Sequence, residues 1–262
     1  MPRVLLLGGT TEASTLARLM AEAGLDAVFS YAGRTARPAA QPLPTRIGGF
    51  GGAAGLARFL HDQAISHVID ATHPFAAEIS RNAIAACAAA GGVPLLGLER
   101  PAWQARPGDR WTRVADLTAA AAALPETPCA VFLAIGRQGL AAFETAGPHR
   151  WLLRLVDAGT GPPVLRGAAR VIARGPFTVA GDLALMRAHR ISHLVAKDSG
   201  GAGAEAKLVA ARQLGVRVIL IDRPVLPPRA VVADPAEALD WLHHASPSGS
   251  EAGAETVALR GA

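Results

Sequence analysis

The sequence predicts an α/β fold built on parallel sheet and arranged in two similar halves. Three observations predict it. Short apolar runs alternate with longer Ala/Leu-rich amphipathic stretches along the chain, the mark of repeated βαβ units. Several apolar runs end in a glycine turn that opens a helix-like stretch. A segment with two prolines, Glu99 to Gly108, interrupts the alternation and separates the halves, although no close sequence repeat relates them.

The elements follow in order. The strands are expected at Val4–Leu7, Ala27–Tyr31, His67–Ala71 and Val93–Gly97, then at Ala130–Ile135, Trp151–Val156, Val171–Ala173, His193–Lys197 and Val216–Ile221. The helices are expected at Thr11–Ala23, Ala53–Gln63, Ala76–Ala89, Leu117–Leu124, Val179–His189, Ala204–Leu214 and Pro235–His243. The domains are expected at 1–100 and 113–245, joined by a crossover at 101–112. The Ser/Gly/Ala-rich stretch 246–262 reads as a disordered tail.

Composition narrows the classes. The chain has 262 residues, half of them hydrophobic, enough for one large or two small cores. No apolar run approaches the roughly 20 residues of a membrane helix. The opening Met1–Gly9 is too short for a signal peptide and runs directly into a glycine turn, so it reads as a buried strand and the compartment as cytoplasm. Cys87 and Cys129 sit among apolar residues without metal-ligand spacing, which argues against disulfides and zinc. The net charge of +5 is spread along the chain and aromatics are few, which argues against nucleic-acid binding. A diffuse Arg excess suits a small, multiply acidic substrate and suits an Arg-rich proteome equally.

Six segments carry possible chemistry. In Gly8-Gly9-Thr10-Thr11-Glu12, directly after the first strand, glycines permit a tight turn and the helix start attracts a phosphate. It is not the full G-x-G-x-x-G pattern, and a plain helix cap at Thr10 or Thr11 is the structural alternative. At the end of the second strand, Ser30, Gly33 and Arg34 stand where an acid would hold the ribose hydroxyl of NAD. A hydroxyl and a guanidinium suit the 2′-phosphate of NADP instead. Gly49, Phe50 and Gly51 lie in a glycine loop that can lie flat on a ligand or simply turn the chain.

Thr72, His73 and Phe75 follow the third apolar run, at a strand's carboxyl end, where open α/β sheets bind ligands. His73 is a candidate contact to nicotinamide or a substrate carboxylate, or a helix cap. Gly136 and Arg137 repeat the strand-to-glycine-turn pattern in the second half. Lys197, Asp198, Ser199, Gly200, Gly201, Gly203 and Lys207 form a Ser/Gly segment with flanking lysines. Backbone amides of such a segment bind carboxylates or phosphates.

Together these segments resemble the precorrin-6A reductase family. The matching pieces are GGTTEAS (8–14), SYAGR (30–34), GGFGG (48–52), DATHPFA (70–76), LERP (98–101), IGRQGL (135–140) and KDSGGAGAEAK (197–207), in the family's order. The resemblance implies two Rossmann-like parallel-sheet domains with a ligand cleft between them, and NADPH bound mainly by the first half. It implies reduction of one C=C bond of the precorrin-6A macrocycle, with hydride delivered to C19 and a proton to C18. His73 and Asp198 are the candidate proton donors, with water as a third source. Partners beyond the substrate would be limited to transient hand-over to other pathway enzymes. The competing readings are another NADPH-dependent reductase of a small acidic substrate and a non-catalytic NADP(H) sensor.

Overall fold

The structure, a computed structural model, describes residues 2–33, 39–157, 165 and 167–244. The described chain divides into two compact units. One comprises residues 1–72, 82–98 and 229 onward, and the other 73–81 and 99–228.

The first unit holds β1 (Arg3–Leu7), α1 (Thr11–Glu22), β2 (Asp26–Tyr31), β3 (Thr45–Ile47), α2 (Gly52–Asp62), β4 (His67–Asp70), most of α3 (Ala77–Ala89) and β5 (Leu95–Leu98). The second holds β6 (Trp111–Val114), α4 (Leu117–Ala122), β7 (Ala130–Ala134), β8 (Arg150–Leu155), β9 (Ala169–Ile172), α5 (Val179–Ala188), β10 (His193–Lys197), α6 (Ala206–Leu214) and β11 (Arg217–Ile221). The chain then returns to the first unit with β12 (Ala230–Val232) and α7 (Pro235–His244).

Each unit is built on a six-stranded sheet, and every strand pair is parallel. The first runs β3-β2-β1-β4-β5-β12, and the second β9-β8-β7-β10-β11-β6. The first is the Rossmann order 3-2-1-4-5-6, and the second matches it in its first five positions. The sixth strand is where they differ in origin. In the first sheet it comes after the whole second unit, and in the second sheet it precedes the unit's own first strand. The two sheets therefore take their last strands in reciprocal fashion along the chain.

This corrects the expected boundaries. Residues 101–112 are not only a crossover, because they lead into β6, and 113–245 is not one domain, because β12 and α7 belong to the first sheet. β3, β6 and β12 escaped the sequence reading because three or four residues at a sheet edge carry no period. The tail at 246–262 lies outside the described residues.

The central strands read as continuous apolar runs because both faces are covered. In the first unit Val4, Leu6, Phe29, Ile69 and Leu96 pack with Leu16 and Met20 of α1 and Leu242 of α7. In the second, alternate residues serve opposite faces. Phe132, Leu194, Val218 and Leu220 meet Met186 and Leu208 of α5 and α6, while Val131, Leu133, Val195 and Ile219 meet Leu140 and Phe143. Each buried side chain of this size is worth roughly 1.5–3 kcal/mol. Those contacts hold the strand ends, and the turns beyond them, in place.

Candidate functional site

In a sheet of this order the chain switches direction beside strand one, and ligands gather at the carboxyl ends there. The switch point lies between β1 and β4 in the first unit, and between β7 and β10 in the second. Of the segments singled out in the sequence, those after β1, β4, β7 and β10 fall at these two places, and those after β2 and β3 lie farther along the first sheet.

In the first unit, Gly8 continues the sheet by donating its amide to the Ser30 carbonyl at 3.0 Å. A Cβ on Gly8 would lie 2.0 Å from the Phe29 ring, so that position admits only glycine. Gly9 differs: its φ is +132° and the space where a Cβ would stand is open. Thr10 is the N-cap of α1, accepting from the Ala13 amide at 3.1 Å. Its hydroxyl also donates to the Ala71 carbonyl at 2.8 Å, tying the turn to the end of β4. Thr11 and Glu12 open the helix, where backbone amides have no acceptor within the helix itself. The Thr10 side chain thus serves Ala13 and the end of β4 together.

Asp70 fixes the neighbouring strand end. It is almost wholly buried, and one carboxylate oxygen accepts from the Thr72 amide and hydroxyl at 3.1 and 2.7 Å. The other pairs with Arg229, itself buried, just before β12. Gly97 makes room for that guanidinium, since a Cβ there would lie 2.9 Å from Arg229 Nε. Asp70 also adds to the upward shift of the Cys87 thiol, which burial pushes to about 11.

At the end of β2, Ser30 is buried and its hydroxyl accepts from Arg46 Nη1 at 2.9 Å. Arg46 also donates to the carbonyls of Gly48 and Gly49, and its guanidinium stacks 3.8 Å from the Phe50 ring centroid. The sequence reading missed Arg46, the middle residue of a strand too short to show alternation. Arg34, its expected partner, lies outside the described residues. Gly33, Gly48, Gly51 and Gly52 all hold positive φ, and Gly51 caps α2 without a side chain over the helix start.

His73 and Phe75 fall in the second unit, whereas Thr72 stays in the first. His73 Nδ1 accepts from the Phe75 amide at 3.2 Å, which assigns the ring proton to Nε2. Burial, then the charges of Arg100, Lys197, Arg223 and Lys207, push its pKa down to about 4. It is a neutral imidazole at physiological pH. Lys197 Nζ stands 5.2 Å from the Phe75 ring centroid.

Three expected residues have other employment. Asp198 is fully buried, and its carboxylate accepts from the Trp103 amide at 3.0 Å and from Arg113 at 2.8 Å. Both of its oxygens are thus engaged. Lys207 is buried beneath the loop, where its amine donates to the Ala204 carbonyl and stands 4.8 Å from the Trp103 ring centroid. Burial and Arg154 push its pKa down to about 8, against the opposing pull of Asp182. Arg137, after Gly136 at the end of β7, donates to the Asp157 carbonyl at 2.8 Å. Arg154, a further cation of this half, is locked to Asp182 in a buried ion pair.

The Ser199–Gly203 segment turns sharply. The Ser199 amide donates to the Lys197 carbonyl at 2.7 Å, Gly200 and Gly201 hold φ of +65° and +72°, and Trp103 Nε1 donates to the Gly201 carbonyl. Arg223, which the sequence reading passed over, reaches this turn from just past β11 and donates from Nε to the Asp198 carbonyl at 3.0 Å. Its signal was positional: a cation just beyond the end of a buried strand, the logic that picked out Lys197.

Two parallel six-stranded sheets, each with shaped turns at its switch point, define the class of protein: a two-unit α/β protein of the dinucleotide-binding kind of fold. The comparisons give the family. The family described as precorrin-6x reductase CbiJ/CobK matches residues 3–243, and the chain belongs to it. The chain is 61% identical to the precorrin-6A reductase of Rhodobacter capsulatus over 251 residues, 95% of this chain and 100% of that one. It is 32% identical to the cobalt-precorrin-6A reductase of Priestia megaterium over 232 residues, 84% and 90% of the two. A solved structure titled CobK precorrin-6A reductase superposes with a TM-score of 0.89 at 61% identity, covering 93% of this chain and 97% of that one. Among the described residues no helix is long and apolar enough to cross a membrane.

Proposed function

We propose that this enzyme reduces the C18=C19 bond of precorrin-6A with NADPH, in the cytoplasm. On this reading the first unit holds the dinucleotide and the second unit holds the macrocycle. The carrying observation is the contrast between the open glycine turn at Gly9 and the four cations around His73.

The first unit fits a dinucleotide. Gly9 offers open space beside the α1 amides for a pyrophosphate, and Gly49, Phe50 and Gly51 offer a flat loop and a bare helix start. Ser30 and Arg46 put a hydroxyl and a guanidinium where NAD enzymes carry an acid. Arg34 is proposed as their partner on the 2′-phosphate. When bound, NADPH supplies the hydride.

The chain's own contribution is positioning and charge. Lys197, with Phe75 beneath it, offers a cation beside an apolar face, which suits a macrocycle that is flat and ringed with carboxylates. The Ser199 hydroxyl, the amides of Gly200, Gly201 and Gly203, and those of Gly136 and Arg137, are proposed to complete that surface. Lys207 supports it from beneath, by holding Ala204. His73, neutral with its proton on Nε2, can donate one hydrogen bond to a carboxylate or to the nicotinamide amide. A neutral imidazole is a poor acid, and Asp198 is engaged on both oxygens, so the reading takes the C18 proton from water.

The test is NADPH oxidation by the purified protein with and without precorrin-6A. NADPH should be consumed only with precorrin-6A present. NADH should work about tenfold less well or worse, since a charged hydrogen bond to the 2′-phosphate is worth roughly 1.5–3 kcal/mol. Oxidation that is indifferent to precorrin-6A, or equal with both cofactors, contradicts the reading.

A further inference from the structure

We infer that Arg223 and Arg100 form a carboxylate clamp in the second unit, seated against Gly200 and Gly201. The inference rests on the reading of that unit as the macrocycle surface.

The glycines of the two switch points are of two kinds. At Gly9 and Gly136 a Cβ would meet nothing within 4 Å. At Gly200 it would stand 2.3 Å from the Pro101 carbonyl oxygen and 2.4 Å from Arg223 Nη2. At Gly201 it would stand 2.5 Å from Arg100 Cδ. The pair was expected to bare its amides to a ligand. Both also hold positive φ, and their missing side chains leave room for the Pro101 carbonyl and the two arginines.

Arg223 is anchored at one end. Nε donates to the Asp198 carbonyl, whose residue is itself held through its carboxylate by Trp103 and Arg113. Nη1 lies 3.8 Å from the Glu99 carboxylate, beyond hydrogen-bond range. Nη2 is buried and has no acceptor among the described residues. A guanidinium held this way is pre-oriented and still has donors to satisfy. Arg100 acts on the same imidazole, His73, as Arg223 does. Of the four cations around His73, Lys207 already spends its amine on Ala204, while an arginine fork can grip a carboxylate through two parallel bonds. The ligand class is therefore an organic carboxylate carried on the macrocycle.

The experiment uses the full-length protein with Arg223→Lys and Arg100→Lys, which keep the charge and remove the fork. Steady-state kinetics give KM for precorrin-6A, and calorimetry gives Kd for NADPH. Each variant should raise the precorrin KM about tenfold or more, the size of one charged hydrogen bond, with NADPH Kd within about twofold of wild type. Arg223→Lys also faces the Asp198 carbonyl, so its melting temperature is measured beside it. If it does not fold, Arg100→Lys and Gly201→Ala, which displaces the Arg100 stem, carry the test with the same expected rise. An unchanged precorrin KM in the folded variants overturns the clamp. Wild type failing to oxidise NADPH with precorrin-6A would overturn the functional reading instead, so the two failures are distinct.

Discussion

The two units share one order over five strands and differ in what they place at the switch point. In the first, the turn Gly8–Thr11 carries no cation, and what it offers an anion is backbone: an open glycine and the start of a twelve-residue helix. In the second, β10 and β11 lead to Lys197, a 3-10 turn and Arg223, and Arg100 joins them from the segment after β5, so what it offers is fixed side-chain charge. The same scaffold thus presents dipoles on one side of the chain and charges on the other. Dipoles at a helix start suit a compact phosphate that must be approached closely. Fixed charges suit a large ligand whose carboxylates are spread out.

Each unit also contains one buried ion pair near its strand ends, Asp70–Arg229 in the first and Arg154–Asp182 in the second. Breaking either gives the largest effect expected here. Asp70→Asn or Asp182→Asn leaves a buried guanidinium without its charge partner and should cost about 3–5 kcal/mol of unfolding free energy, read by denaturant titration. Asp70→Asn also loosens the return of the chain to β12. If the loss is below about 1 kcal/mol, the pairs are not what seats these strand ends.

Next in size is Gly9→Val. A branched side chain at φ +132° is strained and fills the open space beside the α1 amides. NADPH Kd should rise more than about a hundredfold, some 2.7 kcal/mol, while precorrin-6A binding holds. Normal NADPH binding in a folded Gly9→Val protein would move the phosphate site elsewhere.

Lys197→Ala probes the other unit. It should raise the precorrin KM about tenfold, with the penalty shrinking at high salt, because screening already weakens such contacts. A salt-independent penalty would say that the lysine acts through packing on Phe75.

The smallest effect concerns Lys207, whose folded pKa near 8 lies below its ordinary 10.5. Below pH 8 the lysine is charged whether folded or not. Between pH 8 and 10.5 the unfolded chain binds the extra proton, so this group makes stability rise with pH. The melting temperature of wild type, relative to Lys207→Met, should therefore climb from pH 8 to 10. A flat difference would place the amine in contact with solvent. His73 has the same sign in another window: its contribution is lost as pH falls from 6.5 toward 4, where the unfolded chain protonates first.

Much of this was legible in the sequence. The parallel sheets, the two halves and the placing of the Gly8, Thr72, Gly136 and Ser199 turns at strand ends follow from apolar runs that stop at glycines. The sixth strands were not legible, because edge strands of three or four residues have no period and their sheet membership is a long-range fact. The site was half legible. Residue type and position found Lys197, His73 and Ser30, but burial decides use, and burial is tertiary. Asp198 and Lys207 read as available groups and are occupied by Arg113 and Ala204. Arg46 and Arg223 were passed over, and they bond to the Ser30 hydroxyl and the Asp198 carbonyl.

The division of labour between the units is tested most directly by crossing two variants with two ligands. Calorimetric titration of Gly9→Val and Lys197→Ala with NADPH and with precorrin-6A gives four dissociation constants to set beside wild type. The account predicts that Gly9→Val loses NADPH and keeps precorrin-6A, while Lys197→Ala weakens precorrin-6A about tenfold and keeps NADPH. If Lys197→Ala loses NADPH, or Gly9→Val loses precorrin-6A while holding its fold, the assignment of one ligand to each unit is contradicted.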